Sequence, residues 1–264
     1  MRQTLATLAA SAAALGAVTP SPAAPERSAG VGPLQSRALV IVRVPAPWGA
    51  PRFVITGKFI DTIPEYAAAP GLTHKAYTLS DDGRFGGVYL WESRAAAEAW
   101  FDEAWHRRVK EKRGVDGDVR ILDVRGTVEG EARATGQALA QHALRTDAVV
   151  TWLSSVAGIP AENREGQLQA LGAAHELAPG LIRSSVVIAQ DGAVGVVALW
   201  ASRAAAKAFW SGDRQERLSR AAGSELAVTW FSAPVLLDAA AAKRDLALSL
   251  PADAAVPAQA SAPR

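Results

Sequence analysis

Residues 70–101, PGLTHKAYTLSDDGRFGGVYLWESRAAAEAWF, recur at residues 179–210 as PGLIRSSVVIAQDGAVGVVALWASRAAAKAFW. The two stretches align at an offset of 109 without a gap, and 15 of the 32 positions are identical. A unit of this length present twice points to a duplicated domain, since solenoids are built from three or more short repeats. A chain of 264 residues has room for two such units.

The identities fall where a backbone needs particular residues. Pro70-Gly71 and Pro179-Gly180 end a helix, and Asp82-Gly83 and Asp191-Gly192 turn a hairpin because glycine tolerates positive φ. Ser93 and Ser202 stand before Ala-rich helices as N-caps, and Asp102 and Ser211 are a second pair of cap candidates that break each helix, with further segments at 103–112 and 212–221. Between these signals β-branched runs predict strands at Leu72–Leu79, Gly86–Trp91 and Val119–Val124, with counterparts at Leu181–Ala189, Gly195–Trp200 and Val228–Ser232. An opening strand, Leu39–Val44, has its copy at Ala148–Leu153 by the same offset. Helical spacing of Ile55, Phe59, Ile63 and Tyr66 predicts a helix over 52–69 in which Pro64 makes a kink or starts a last short piece. Residues 161–178, with Leu168, Leu171 and Leu177 and no proline, predict a cleaner one.

Each unit then reads β-α-β-β-α-β, the ferredoxin-like order, with two helices on one face of a four-stranded sheet. The opening strand is apolar on both faces, Val40, Val42 and Val44 on one and Leu39 and Ile41 on the other. An apolar sheet face must be covered. The expected architecture is therefore α+β: two tandem ferredoxin-like units pairing sheet to sheet as an intramolecular dimeric α+β barrel. Fusion of the halves favours this over pairing between chains. The boundaries are a signal peptide at 1–24, a linker at 25–37, repeat 1 at 38–126, a linker at 127–146 with helical character from Ala134 to Leu144, repeat 2 at 147–238, and a tail at 239–264. That tail holds a short helix to Leu248 and is otherwise disordered from Pro251.

Composition narrows the function. Basic and acidic side chains number 28 and 26, so the clustered positive excess of a nucleic-acid binder is missing. The chain has no cysteine, which removes disulfides, thiolate nucleophiles and cysteine metal sites. Its histidines are His74, His106, His142 and His175, none at i,i+4 spacing from another, so no metal site is expected. Met1-Arg2, an apolar run at Thr4–Val18 and small residues near Ala23 and Ala24 have the form of a secretory signal, too short to span a bilayer. Export to the periplasm or beyond, with no membrane association after cleavage, is the expectation.

Pro70-Gly71-Leu72, Lys75, Tyr77, Gly86-Gly87, Tyr89-Leu90-Trp91-Glu92-Ser93, Ala96-Ala97-Glu98-Ala99 and Trp105, followed by a basic helix and a closing strand, resemble the YdhR-type monooxygenase-like proteins. These stand beside antibiotic-biosynthesis monooxygenases in the dimeric α+β barrel superfamily. The resemblance covers residues 39 to 126 well, while the second copy keeps the PGL, LW.SR.AA and closing-strand elements only. It implies the barrel fold, and a chemistry in which electron-rich aromatics or quinols are oxygenated without metal or flavin cofactor. The superfamily also holds chlorite-dismutase-like, haem-degrading and non-catalytic members.

Such chemistry needs an apolar pocket, one group that takes a proton, and aromatic walls. In the first unit His74 and Tyr77 are the catalytic candidates, His74 as the base. Lys75, Tyr89, Trp91 and Trp105 are candidates for contact with a small hydrophobic or aromatic ligand. Trp91 and Trp200 recur in both units, which also fits core anchors. Because His74, Lys75, Tyr77 and Tyr89 differ between the copies, function is expected in the first unit, with the second completing the barrel. The alternative is a non-catalytic barrel that binds a small hydrophobic ligand or a protein partner in the cell envelope, as a monomer or a further homo-oligomer.

Overall fold

A computed structural model describes residues 37–249 apart from 48, 141, 156–165, 167–168, 170–171, 174–177, 212 and 223–224. The expected signal segment and the three leucines of the second unit's first helix, with His175, lie outside the described residues; within that helix Gly166, Gln169, Gly172 and Ala173 are helical.

In the first half β1 (Ala38–Pro45) leads to α1 (Arg52–Asp61) and α2 (Ile63–Ala67), then to the hairpin β2 (Leu72–Ser80) and β3 (Arg84–Trp91), then to α3 (Arg94–Trp100), α4 (Glu103–Arg113) and β4 (Asp118–Glu129). Pro64 lies in the first turn of α2, where its missing N–H costs nothing, so it starts a helix rather than kinking one. β5 (Gly136–Ala140) and β6 (Ala143–Ser155) follow, then β7 (Leu181–Ile188), β8 (Val194–Trp200), α5 (Arg203–Phe209), α6 (Arg214–Ala222), β9 (Leu226–Asp238) and α7 (Ala239–Ser249). Eight antiparallel strands run β6-β8-β7-β4-β1-β3-β2-β9, and β9 pairs back onto β6, closing a barrel with β5 attached at its edge.

Long strands join the halves. The outer part of β4 pairs with β7, Glu129 opposite Arg183, and the outer part of β9 pairs with β2, Asp238 opposite His74. These partners are related by the offset of 109, as are the bulges after Leu72 and Leu181, so the two halves follow one register about a pseudo-two-fold axis. The opening strand departs from that offset: Ala38 pairs with Trp91 but Val149 with Trp200, which makes β6 equivalent to β1 at 111. A slip of two keeps every side chain on its own face.

The segment 127–146 is not a linker and has no helix from Ala134 to Leu144. It forms the end of β4, β5 and the start of β6, with Ala143 and Leu144 pairing to Leu237 and Leu236. Alanine-rich propensity is overridden because β9 offers an open edge there. Ser211 is no cap either: its hydroxyl donates to Ala208 C=O, and the first bond of α6 runs from Arg217 N–H to Asp213 C=O. Ser93, Ser202 and Asp102 do cap, accepting from Ala96, Ala205 and Trp105 N–H at 3.1, 3.2 and 2.7 Å.

Both faces of β1 are buried, and the barrel interior takes side chains from all eight strands, among them Leu39, Ile41, Ala76, Val88, Leu122, Trp152, Val187, Val197 and Phe231. Outside it the helices cover Val40, Val42, Tyr77, Tyr89 and Trp91. Gly71 and Gly180 show how the shared residues were fixed. Both have positive φ, 75° and 80°, and an added Cβ would lie 2.7 and 2.4 Å from the Cβ of Ala96 and Ala205. Helix end, strand start and the next helix meet there, so neither glycine nor alanine can grow.

Candidate active site

Alternation along β2 sends Lys75 and Tyr77 to the helix face and His74 and Ala76 to the barrel interior. On β3 the residues that share the helix face are Gly87, Tyr89 and Trp91. An added Cβ on Gly87 would lie 2.9 Å from the Tyr89 ring, so the bare glycine makes room for that ring to lie against the sheet. Helices α1 and α2 bring Phe59, Thr62, Glu65 and Tyr66 over the same area, and α4 brings Trp105, Arg108, Val109, Lys112 and Arg113.

Between these elements is a cavity of about 560 Å³, within the range of small-molecule sites. Lys75 is on its wall and is the one buried charged side chain among the described residues, 3% exposed. Its Nζ stands 2.9 Å from the ring centroid of Tyr66, 3.7 Å from Tyr77 and 4.7 Å from Tyr89. The chain contains three tyrosines, and all three surround this amine. Phe59 packs on Tyr77 at 5.2 Å, and the Thr62 hydroxyl donates to the Tyr77 hydroxyl at 3.3 Å. Trp105 is on the wall, held edge-on by Phe101 at 5.2 Å.

Burial drives the electrostatics. It holds the Lys75 pKa well below the usual lysine value, with Glu65 opposing at longer range. It raises Tyr66, Tyr77 and Tyr89, so the three phenols stay protonated. Burial thus favours the amine form, which can take a proton, and three electron-rich ring faces meet the ammonium that results. An aromatic cage around a desolvated lysine thus favours the product of proton abstraction.

His74 does not join this group. It lies across the sheet, on the wall of a second cavity of about 420 Å³ inside the barrel. Its Nε2 accepts from Arg183 Nη2 at 3.2 Å and stands 3.7 Å from Asp238, while Arg183 Nε donates to Glu129 at 2.6 Å. Burial and then Arg183 lower its pKa to about 4, against Asp238 and Glu129. Residues 74 and 77 therefore never converge on one ligand. Trp91 is also off the cavity wall: it is fully buried, 5.9 Å from Trp100 and 6.0 Å from Phe101, and it fills core. Tyr66, Glu65 and Arg108 were not singled out from the sequence. Tyrosine's rarity was the available signal, since three copies in this chain make each one worth locating.

Among the described residues no cluster of three histidine, aspartate or glutamate side chains could hold a metal. No described helix is long and apolar enough to cross a membrane.

No family model matches the chain, and no curated protein matches it by sequence. Solved structures match it in fold. An anthrone oxidase-like protein superposes with a TM-score of 0.54 at 13% identity, over 78% of this chain and 94% of its own. A candidate monooxygenase from Fusobacterium nucleatum gives 0.57 at 6% identity, over 77% and 94%. Another from Lactobacillus acidophilus gives 0.52 at 8%, over 77% and 97%. The chain thus shares the fold of these proteins, an α+β fold whose strands close into a barrel. At these identities the likeness speaks for the fold and not for an activity.

Proposed function

We propose that this protein oxygenates a small electron-rich aromatic, an anthrone or a quinol, without a cofactor, in the helix-side cavity of its first half. The observation that carries this reading is Lys75, buried on the cavity wall among all three tyrosines of the chain. The fold neighbours, one of them described as anthrone oxidase-like, agree with it.

For an anthrone the steps balance as CH₂ + O₂ → C=O + H₂O. The Lys75 amine takes one proton of the activated CH₂, leaving a carbanion. The carbanion gives one electron to O₂, and the resulting radical and superoxide join in a C–O bond. The peroxide takes the proton back from the Lys75 ammonium. The Lys75 amine then takes the second C–H proton as the O–O bond breaks, leaving the carbonyl, and the expelled hydroxide takes that proton from the ammonium and leaves as water. The aromatic walls exclude bulk water, and the protonated Tyr66 and Tyr77 hydroxyls suit hydrogen bonding to developing oxygen charge. Lys58, Arg108, Lys112 and Arg113 line the same cavity against Asp61 and Glu65, which favours a substrate that ionises to a phenolate.

We also read the shared register of the halves as the trace of a tandem duplication of a YdhR-type unit, and residues 1–24 as an export signal. The mature protein then works as a monomer in the periplasm or outside the cell. The mass of protein recovered from the producing cell tests the cleavage.

Oxygen uptake by the purified protein on an anthrone and quinol panel tests the activity. The expected result is turnover that Lys75→Met lowers by about 10²- to 10⁴-fold, the range of general-base contributions. Uptake that survives Lys75→Met unchanged overturns the role of Lys75. Ligand binding without uptake on any member of the panel points instead to the non-catalytic binding barrel.

A further inference from the structure

We infer that the barrel interior is a second binding site, for a neutral and mostly apolar molecule that carries one hydrogen-bond acceptor, such as a two-ring ketone. The site lies inside the closed barrel, across the sheet from the helix-side cavity. Its volume of about 420 Å³ suits a ligand of that size. Leu39, Val88 and Leu90 wall it from the first half and Val150, Val197 and Leu199 from the second. Glu129 and Arg133, both exposed, stand at its open end.

The chemistry of the head group follows from His74. A guanidinium can only donate, so Arg183 Nη2 at 3.2 Å makes His74 Nε2 an acceptor. The neutral ring then carries its proton on Nδ1. That atom is buried and has no hydrogen-bond partner among the described residues. A buried donor left unmatched is costly, and a carbonyl oxygen relieves it where an apolar group does not. Lys75, also on the wall, is pushed by burial toward its neutral form, and the other charges cancel: Arg133 and Arg183 stand against Glu129 and Asp238, and Arg183 is already paired with Glu129 at 2.6 Å. With no net charge to meet, an ion gains nothing for the water it gives up, and a neutral acceptor is selected.

The pseudo-two-fold axis explains why the site is single. His74 and Arg183 are equivalent positions, as are Glu129 and Asp238, and the four meet near that axis. Of these four only His74 is an imidazole, and His142, the other on the cavity wall, is paired with Asp245 at 2.8 Å, so one head-group position results from two equivalent strands.

The test is a fluorescence titration with Prodan, a neutral naphthyl ketone whose emission shifts to the blue when it leaves water. One equivalent is expected to bind with a blue shift, and the anionic naphthalene sulfonate ANS at least tenfold more weakly. His74→Leu is expected to weaken Prodan about tenfold, the equivalent of ~1.4 kcal/mol. Val197→Phe, which fills the interior, abolishes binding, and Leu199→Phe does the same from the adjoining wall, with thermal melts selecting whichever variant stays folded. Tyr66→Leu, on the helix-side cavity alone, leaves Prodan binding unchanged. The inference fails if Prodan does not bind, if ANS binds as tightly, if His74→Leu has no effect, if binding persists in the folded filled variant, or if Tyr66→Leu removes it.

Discussion

At an offset of 109, Lys75, Tyr77 and Tyr89 of the first half correspond to Ser184, Val186 and Ala198 of the second. The strands carrying them have the same partners, the same bulge and the same cap on the next helix. What lies on the helix face of those strands differs. In the first half an amine and three phenols border a cavity; in the second, Val149, Ala198, Trp200, Ala206 and Phe209 pack together around equivalent positions. The change is coordinated. Gly87 and Tyr89 correspond to Val196 and Ala198, so bulk moves from one residue of the strand face to the next. Identical residues between the halves hold the backbone, and divergent ones define the pocket.

Placing the amine where the cage is missing should break the comparison most severely. Ser184 is buried and its hydroxyl has no hydrogen-bond partner among the described residues. Ser184→Lys puts an ammonium there with no tyrosine faces, and the expected cost is about 4–7 kcal/mol in denaturant unfolding, the size of a buried lysine's pKa shift. Lys75→Met, by contrast, replaces a buried amine that gives up its proton to fold with an apolar side chain of similar shape, and is expected to raise stability by about 1–3 kcal/mol. A large loss for Lys75→Met would mean that the cage serves the fold and not chemistry.

The two core tryptophans sharpen the comparison. Trp200 Nε1 donates to Thr151 Oγ1 at 2.9 Å, whereas Trp91 Nε1 is buried without a hydrogen-bond partner among the described residues. By the register of the strands the residue equivalent to Thr151 is Val40. Trp200→Phe should therefore cost about 1–3 kcal/mol more than Trp91→Phe, because it strands the threonine hydroxyl. Val40→Thr should supply the missing acceptor and cost at least ~1 kcal/mol less than the same change at Val42, where no indole waits. Equal costs at both positions would break the equivalence of the halves.

The smallest effect concerns His74, an imidazole whose ordinary pKa lies near neutrality. Its folded pKa, about 4, lies below the ordinary 6.5, so the unfolded chain binds the extra proton in that window. Its contribution to stability is full above pH 6.5 and is lost as pH falls toward 4. His74→Leu should flatten the stability profile between those values by up to one proton, measured by urea unfolding at several pH values.

Much of the fold was legible because the repeated string is made of caps, turns and helix stops, each with a backbone reason. The extra two residues before β6 were not legible, since a shift of two leaves the alternation intact. Nor were β5 and the start of β6, where Ala, Gln and Leu favour helix and only the free edge of β9 decides otherwise. The site was half legible. Lys75, Tyr77, Tyr89 and Trp105 do meet, but His74 precedes Lys75 on the same strand and must face the other way, a consequence of period two that the sequence already contained. Tyr66 arrives from a different element, the short helix just before β2, and local pattern carries no sign of that meeting.

The account rests on Lys75 being a free amine in the resting protein. The direct measurement is a pH titration of the lysine Cε signals by ¹³C NMR, with Lys75→Met to assign the resonance. The account predicts a signal that titrates well below the usual 10.5 and is absent from the variant; the signal of Lys243, whose burial also lowers it, survives the substitution. A Lys75 signal that titrates at 10.5 or above would contradict it, because a lysine held as ammonium at working pH cannot take a proton from the substrate.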